Sequence, residues 1–438
     1  MVTHLSMPRM KPLSARRGAI FTVLDVGTSK IACLIARLDP SEGNAGARQR
    51  GAGCRILGIG HQRARGMKAG QVVDMEEAEA AIRLAVDAAE RMAGIQVERV
   101  VVTASGGRLV SQQFAAQVAI GGKAVTDADV HRVLEASCAR TAGPSRAVLH
   151  SLPLAFSLDE ARGIRDPKGM IGDTLAADLH VVSCEAAAAR NLLLAIERCH
   201  LGIETYVAAP YASSLSALIE DEAEMGATVI DFGAGSTSMA VIGGGGLTHV
   251  DGVAVGGNHI TMDVARGLNI RLNSAERLKT LYGGVLTSSS DERETIAVEQ
   301  VGDEMEQVAH LPRSHLVRII RPRVEEILEL VRDRLKAKGH PTHAGSRIII
   351  TGGASQLTGM PEAVRRTLGG QVRLGRPMPV QGLPESGRSP AFAAAVGLLM
   401  YPQVAGREHF EPRRERALQA TGTDGYLSRV GRWLKDSF

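Results

Sequence analysis

The chain has 438 residues, 44% of them apolar and only 3% aromatic, with a formal charge of +4. That length accommodates two to four domains with cores built mainly from Ala, Val, Leu and Ile, and so slight a charge gives no ground for nucleic acid binding. No apolar run reaches the roughly 18 residues of a membrane span, and the basic segment 1–17 lacks the apolar stretch of a secretory signal.

Residues 1–17 read as a disordered basic extension. An apolar run, Ile20-Phe21-Thr22-Val23-Leu24, then ends in Asp25-Val26-Gly27-Thr28-Ser29-Lys30 and a second strand over 31–36. A strand over 55–60 follows, then a helix over 75–93 that places Ile82, Ala85, Val86, Ala89 and Met92 on one face and stops at Gly94. The strand 100–102 leads to Gly106-Gly107, and Thr126-Asp127-Ala128-Asp129 resembles a capping box opening a helix through residue 139. With the Pro- and Gly-spaced stretch after it, including 169–172, residues 95–175 read as a small α+β insertion. The α/β pattern resumes with a strand over 179–182 and a helix over 185–199. The five cysteines, Cys33, Cys54, Cys138, Cys184 and Cys199, show neither paired nor metal-ligand spacing, so reduced thiols in a cytoplasm are expected.

The second half begins near residue 205. Thr228-Val229-Ile230 runs into Asp231-Phe232-Gly233-Ala234-Gly235-Ser236-Thr237 and a strand over 238–242, repeating the plan around Asp25 and suggesting a duplicated fold. Helical spacing marks 258–267, 274–281 and 316–338, after which a buried strand over 347–351 enters Gly352-Gly353-Ala354-Ser355. Residues 402–423 mix Arg and Glu with Pro and Gly and read as a linker. The last segment places Tyr426, Leu427, Val430, Trp433, Leu434 and Phe438 on one stripe flanked by Arg429, Arg432 and Lys435, with the chain's single tryptophan among them. Such a helix suits a membrane interface, the alternative being docking on a protein.

The two aspartate loops carry the chemistry. Glycines let backbone N–H groups approach an anion, hydroxyls add donors, and an aspartate holds a hydrated divalent cation. Facing each other, they would clamp a polyphosphate. The chain has no G-x-x-x-x-G-K-[ST] loop, no dinucleotide spacing after its second loop and no G-x-S-x-G elbow. His340 and His343, in a Pro- and Gly-containing loop, read as surface residues.

Together, Asp25-x-Gly27-Thr28-Ser29-Lys30, Asp231-x-Gly233-x-Gly235-Ser236-Thr237 and Gly352-Gly353-Ala354-Ser355 resemble the phosphate-1, phosphate-2 and adenosine motifs of the actin and heat-shock-chaperone ATPase superfamily. Within it the chain is similar to the FtsA family of bacterial cell-division actin homologues, through Gly66-x-x-x-Gly70-x-Val72-Val73-Asp74, the insertion and the tail. The resemblance implies an α/β, actin-like two-lobed ATPase fold with an inserted small α+β subdomain and a C-terminal amphipathic helix. Its parts would be subdomain 1A (18–94 and 176–204), 1C (95–175), 2A (205–256 and 346–401), 2B (257–345), a linker (402–423) and a membrane-targeting helix (424–438).

The resemblance further implies ATP and Mg as cofactors. Asp25 and Asp231 would lie near the metal through water, with Gly27, Thr28 and Ser29 on one side of the phosphates and Gly233, Gly235, Ser236 and Thr237 on the other. Lys30 would touch the phosphates or face solvent at the strand entry. Glu276 and Lys279 would contact ribose and adenine, the alternative being a solvated helix face. Gly257, Asn258, Gly352, Gly353, Ala354 and Ser355 complete the implied set. Hydrolytic relatives such as MreB carry an acid or amide where this chain has Ala208-Ala209-Pro210-Tyr211-Ala212-Ser213-Ser214, so slow or negligible hydrolysis is expected.

Implied partners are a second copy in a head-to-tail polymer, the C-terminal peptide of FtsZ, later division proteins through the insertion, and the lipid surface. Arg318, Arg321 and Arg323 are candidate contacts for the partly acidic FtsZ peptide, or simply a solvated helix start. The implied location is peripheral, on the cytoplasmic face of the inner membrane at the division site. A pilus-assembly or plasmid-segregation actin homologue, or a superfamily kinase, is the alternative.

Overall fold

A computed structural model describes residues 8–10, 13, 18–39, 53–106, 108–138, 145–301 and 308–408. The first lobe opens with β1 (Ala19–Val26), β2 (Lys30–Leu38), β3 (Cys54–Arg63), the short pair β4 (Met67–Lys68) and β5 (Gln71–Val72), α1 (Met75–Ala93) and β6 (Arg99–Ala104). The insertion comprises β7 (Val110–Ala124), α2 (Asp127–Cys138), β8 (Arg146–Leu158), β9 (Ala161–Ile164) and β10 (Ile171–Glu185). Next come α3 (Ala186–Glu197), β11 (Gly202–Ala208), α4 (Ala209–Ala217) and α5 (Glu220–Met225). The second lobe follows with β12 (Ala227–Phe232), β13 (Thr237–Gly243), β14 (Gly246–Val253), α6 (Gly257–Leu268), α7 (Leu272–Tyr282), β15 (Thr295–Glu299), β16 (Val308–Pro312), α8 (Arg313–Ala337), β17 (Arg347–Thr351), α9 (Met360–Leu368), β18 (Gln371–Leu374) and α10 (Ala393–Val404).

The duplication expected from the two loops is present in the topology. The first sheet runs β11-β6-β1-β2-β3 and the second β18-β17-β12-β13-β14. In each, an antiparallel meander of three strands is extended by two parallel strands beside its first member. Covered on both faces, β1 and β2 are buried almost throughout, so they read as continuous apolar runs. One core fills the first lobe and reaches the second sheet beneath α4 and α10; a second lies under α6, α8 and α9; a third serves the insertion. Among the described residues no helix is long and apolar enough to cross a membrane.

Several boundaries differ from the sequence expectation. Arg99–Ala104 pairs with β1, and Gly202–Ala208 with β6, so the first sheet gains strands at both places. The insertion's own sheet, β7-β10-β8-β9, takes in residues 179–182, because β10 is one strand of 15 residues. Residues 257–345 contain the hairpin β15–β16 among their helices. Helix α10 returns to pack on α4 and the first sheet, and it runs through Pro402 to Val404, with one 3-10 turn after it. A linker therefore cannot start at 402; residues 409–423, and the tail residues Tyr426 to Phe438, lie outside the described residues.

Two local expectations also change. Met10 and Leu13 pack against the first core, so the N-terminal stretch is not uniformly an unattached extension. On α1, Ile82, Ala85, Val86 and Ala89 are buried as expected, but Met92 is 61% exposed. The stripe continues through Ala93 instead, since this helix lies very close to β3: a Cβ on Gly60 would sit 1.7 Å from the Ala85 carbonyl oxygen.

Candidate functional site

The two aspartate loops meet between the lobes. Each is a tight hairpin of the same build: Gly27 N–H donates to the Lys30 carbonyl, and a Cβ on Gly27 or Gly233 would lie 2.9 Å from the carbonyl oxygen three residues on. Across the cleft, a Cβ on Gly235 would lie 2.5 Å from the Thr28 hydroxyl and 2.9 Å from Ala69 Cα. Glycine is what permits that approach. The Thr28 hydroxyl accepts from Gly70 N–H, and Gly66 and Gly70 both have positive φ, so the Gly66–Asp74 segment braces the first loop from behind.

Asp25 and Asp231 lie near the ends of their strands, and both interact with Lys30 and with each other. The Thr103 hydroxyl donates to Asp25 Oδ1 at 2.8 Å, and Ser213 on α4 donates to Asp231 Oδ2 at 2.5 Å. Burial raises both carboxyls above their usual range, Asp231 to about 6, while burial lowers the Lys30 ammonium against the attraction of both aspartates. Lys30 does not project from the strand entry into solvent. It is half-buried, its Nζ donates to the Ala391 carbonyl, and it lies 4.6 Å from the Phe392 ring centroid.

The expected adenosine side converges on the start of α6. Gly257 N–H and Asn258 N–H donate to the Gly233 and Ala234 carbonyls of the second loop, at 2.9 and 2.7 Å. Lys279 Nζ donates to Gly257 O, Thr261 Oγ1 and Glu276 Oε2 at 3.2, 2.8 and 2.7 Å, and Thr261 also donates to Glu276. Glu276 and Lys279 thus form a held pair beside Gly257, and a Cβ on Gly257 would meet Ala354 at 3.3 Å. Gly352, at φ +86, lies against Asp231 so closely that a Cβ would stand 2.3 Å from its Oδ1, whereas the nearest atom to a Cβ on Gly353 would be 3.8 Å away. Gly353 is exposed, and its backbone is not crowded as that of Gly352 is.

Not every expected side chain faces the cleft. The Thr237 hydroxyl donates to Val255 O, tying β13 to the segment after β14, and the Ser355 hydroxyl to Gly352 O within a local turn, so both are committed to the backbone. Ser29 is exposed and Ser236 half-buried. Thr103, Ser213, Thr261 and the 390–392 turn were missed in the sequence, because their partners lie in other elements. The residues present fit a magnesium nucleotide: two carboxyls whose buried charge a cation would relieve, donors on both loops, and a held Glu276–Lys279 pair beside Gly257.

Of the three candidate arginines, all on α8, Arg323 is engaged by Asp263 and Glu326, and Arg318 lies 3.8 Å from Glu292. Arg321 pairs with Glu325 and lines a small pocket of about 40 Å³ with Val285, Leu286, Val324, Ala363 and Arg366. All five cysteines are free, and four are buried.

The family model for cell division protein FtsA matches residues 228–397, and that for the SHS2 domain inserted in FtsA matches residues 106–183. Cell division protein FtsA of Agrobacterium fabrum is 46% identical over 437 residues, covering 100% of this chain and 99% of that protein. The Escherichia coli protein of the same name is 32% identical over 424 residues, covering 95% and 97%. Among solved structures, the PilM–PilN type IV pilus biogenesis complex aligns at a TM-score of 0.60 and 19% identity, covering 87% of this chain and 98% of that one. MreB5 of Spiroplasma citri bound to ADP aligns at 0.52 and 14%, covering 89% and 98%. These two likenesses give the fold, which is actin-like, and the SHS2 match falls on the inserted sheet.

Proposed function

This chain belongs to the FtsA family of cell division proteins, and from that premise we propose that it binds ATP with magnesium between its lobes. We further propose that it polymerises on the cytoplasmic face of the inner membrane, tethers FtsZ filaments there and recruits later division proteins through the insertion. The observation that carries the nucleotide reading is the meeting of the two loops across the cleft, with Asp25 and Asp231 both interacting with Lys30. Thr28 and Gly235 touch, so a polyphosphate between them requires the loops to part. Asp25 and Asp231 would hold the metal through water, with Gly27, Thr28, Gly233 and Gly235 at the phosphates and Glu276, Lys279 and Gly353 at the nucleoside. Magnesium, when bound, supplies positive charge to the polyphosphate.

Hydrolysis would be slow. Helix α4 is buried along its whole length and offers no acid, and its nearest hydroxyl, Ser213, is committed to Asp231. The ligand would then act by stabilising one arrangement of the lobes through mass action. For the FtsZ peptide, the pocket between Arg321 and Arg366 combines apolar walls with two arginines and one glutamate, Glu325, which an acidic segment would have to displace from Arg321. Of the three candidate arginines only Arg321 lines that pocket, although it too is ion-paired, to Glu325.

Calorimetry with ATP and magnesium tests the central claim: saturable heat is expected, and its absence in the full-length protein refutes it. A pull-down with the FtsZ C-terminal peptide tests the partner. Capture lost in Arg321→Glu is expected, whereas unchanged capture removes the pocket from consideration. The fold is shared with a pilus protein, but full-length identity to division proteins favours the division reading over that alternative.

A further inference from the structure

The last residue described, Glu408, stands at the root of the C-terminal tail and is not a surface residue in its side chain, which is 1% exposed. Its Oε1 accepts from His150 Nδ1 and from the Tyr401 hydroxyl, both at 2.9 Å. His150, on β8, is itself fully buried, and its Nε2 accepts from Ala208 N–H at 2.9 Å, directly before α4. That bond leaves Nδ1–H to face Glu408. Among the described residues its other oxygen, Oε2, is buried without a partner. The rings of His150, Tyr211 and Tyr401 close around the group edge to face, with centroids 5.1 to 6.4 Å apart.

Resting on the nucleotide reading above, we propose that Glu408 is a latch on the tail root and that helix α4 couples it to the nucleotide loop of the second lobe. Tyr211, in the first turn of α4, packs on the latch; Ser213, two residues on, donates to Asp231. One buried helix of nine residues therefore touches the tail root and the loop that must move when Thr28 and Gly235 separate. The latch also joins β8 of the insertion to α10. It is poised to open, because a buried carboxyl group with one oxygen unpartnered among the described residues carries an unmet desolvation cost. Opening frees residues 405–408 and lengthens the tether of whatever the tail engages. Linkage makes the effect reciprocal: if the nucleotide opens or tightens the latch, latch variants change nucleotide affinity by the same factor.

Hydrogen exchange of residues 401–408 in the full-length protein, with and without ATP and magnesium, reads the latch, while calorimetry on the same samples reads the nucleotide. A change of about fivefold or more in exchange on ATP binding is expected, the lower end of ordinary allosteric coupling. In Glu408→Ala, and in Glu408→Asp, which keeps the charge but falls one methylene short of His150, that response is expected to vanish and ATP affinity to shift by a matching factor. Binding heat without any exchange response in the wild-type chain overturns the coupling alone. Full responses in both variants overturn it equally, and absence of binding heat overturns the nucleotide reading and the coupling with it.

Discussion

Asp231 illustrates how much a single buried charge controls. Burial pushes its carboxyl up to about 6, so between pH values near 4 and 6 the folded chain holds a proton that the unfolded chain has released. Its contribution favours folding at low pH and is lost as pH rises through about 6. Asp231→Asn removes that penalty while keeping an oxygen for Ser213. Nucleotide-free Asp231→Asn is expected to gain about 1–3 kcal/mol at pH 7.5 and nothing below pH 4, read from urea midpoints at the two pH values. Equal midpoints at pH 7.5 would show that Lys30 already neutralises the site. At this scale the loops themselves were legible, because strand, aspartate, glycine and hydroxyl are consecutive. Their supports were not: Thr103 reaches Asp25 across 78 positions and Ser213 reaches Asp231 across 18. No local pattern encodes such a meeting.

Between elements, closeness of backbones decides more than side-chain size. Helices α4 and α10 approach until a Cβ on Gly397 would lie 1.7 Å from the Ala212 carbonyl oxygen. Gly397→Ala must push the helices apart, so a loss of about 1–3 kcal/mol is expected from overpacking, measured by thermal unfolding; an unchanged midpoint would mean that the pair is loosely held. The docking of the insertion on the second lobe is a different kind of contact. Val250 N–H donates to the Ser111 hydroxyl, which bonds His180 Nε2, while His180 Nδ1 donates to the Leu247 carbonyl. The Nδ1–H bond to Leu247 survives in either ring state and favours the charged form, but burial outweighs it and lowers His180 to about 4, helped by His249, His150 and His340. Its contribution is fully present above the ordinary histidine range and is lost as pH falls from 6.5 towards 4, amounting to about 2 kcal/mol at pH 5. Faster exchange of residues 110–116 at pH 5 than at pH 7.5, after correction for intrinsic rates, is the expected sign, abolished in His180→Phe; identical protection would place the docking energy elsewhere. Helices such as α1 and α8 were readable from their 3.6-residue stripes. The strands β7 and β8 were not, since β7 is a half-exposed edge of Gln, Ser and Ala whose alternation carries little apolar contrast.

For the molecule as a whole, the duplicated sheets were legible in outline because two copies of one loop implied two copies of one fold, while the return of α10 to the first lobe depends on long-range packing that no segment announces. The proposed membrane anchor belongs to this scale too, because its strength comes from assembly. Burying each large apolar side chain of the tail is worth about 1.5–3 kcal/mol, but a segment this short must also be ordered into a helix, and Gly431 opposes that. One tail should hold by only a few kcal/mol and detach readily. A polymer presents many tails at once, and each bound tail raises the effective concentration of the next. Sedimentation with anionic liposomes is therefore expected to rise sigmoidally with protein concentration in the presence of ATP and magnesium, to become shallow when Asp231→Asn blocks nucleotide binding, and to disappear when the chain ends before Gly425. A hyperbolic isotherm that is tight at low concentration and indifferent to ATP would instead mean that a single tail suffices, and the proposed dependence of membrane residence on assembly would fail.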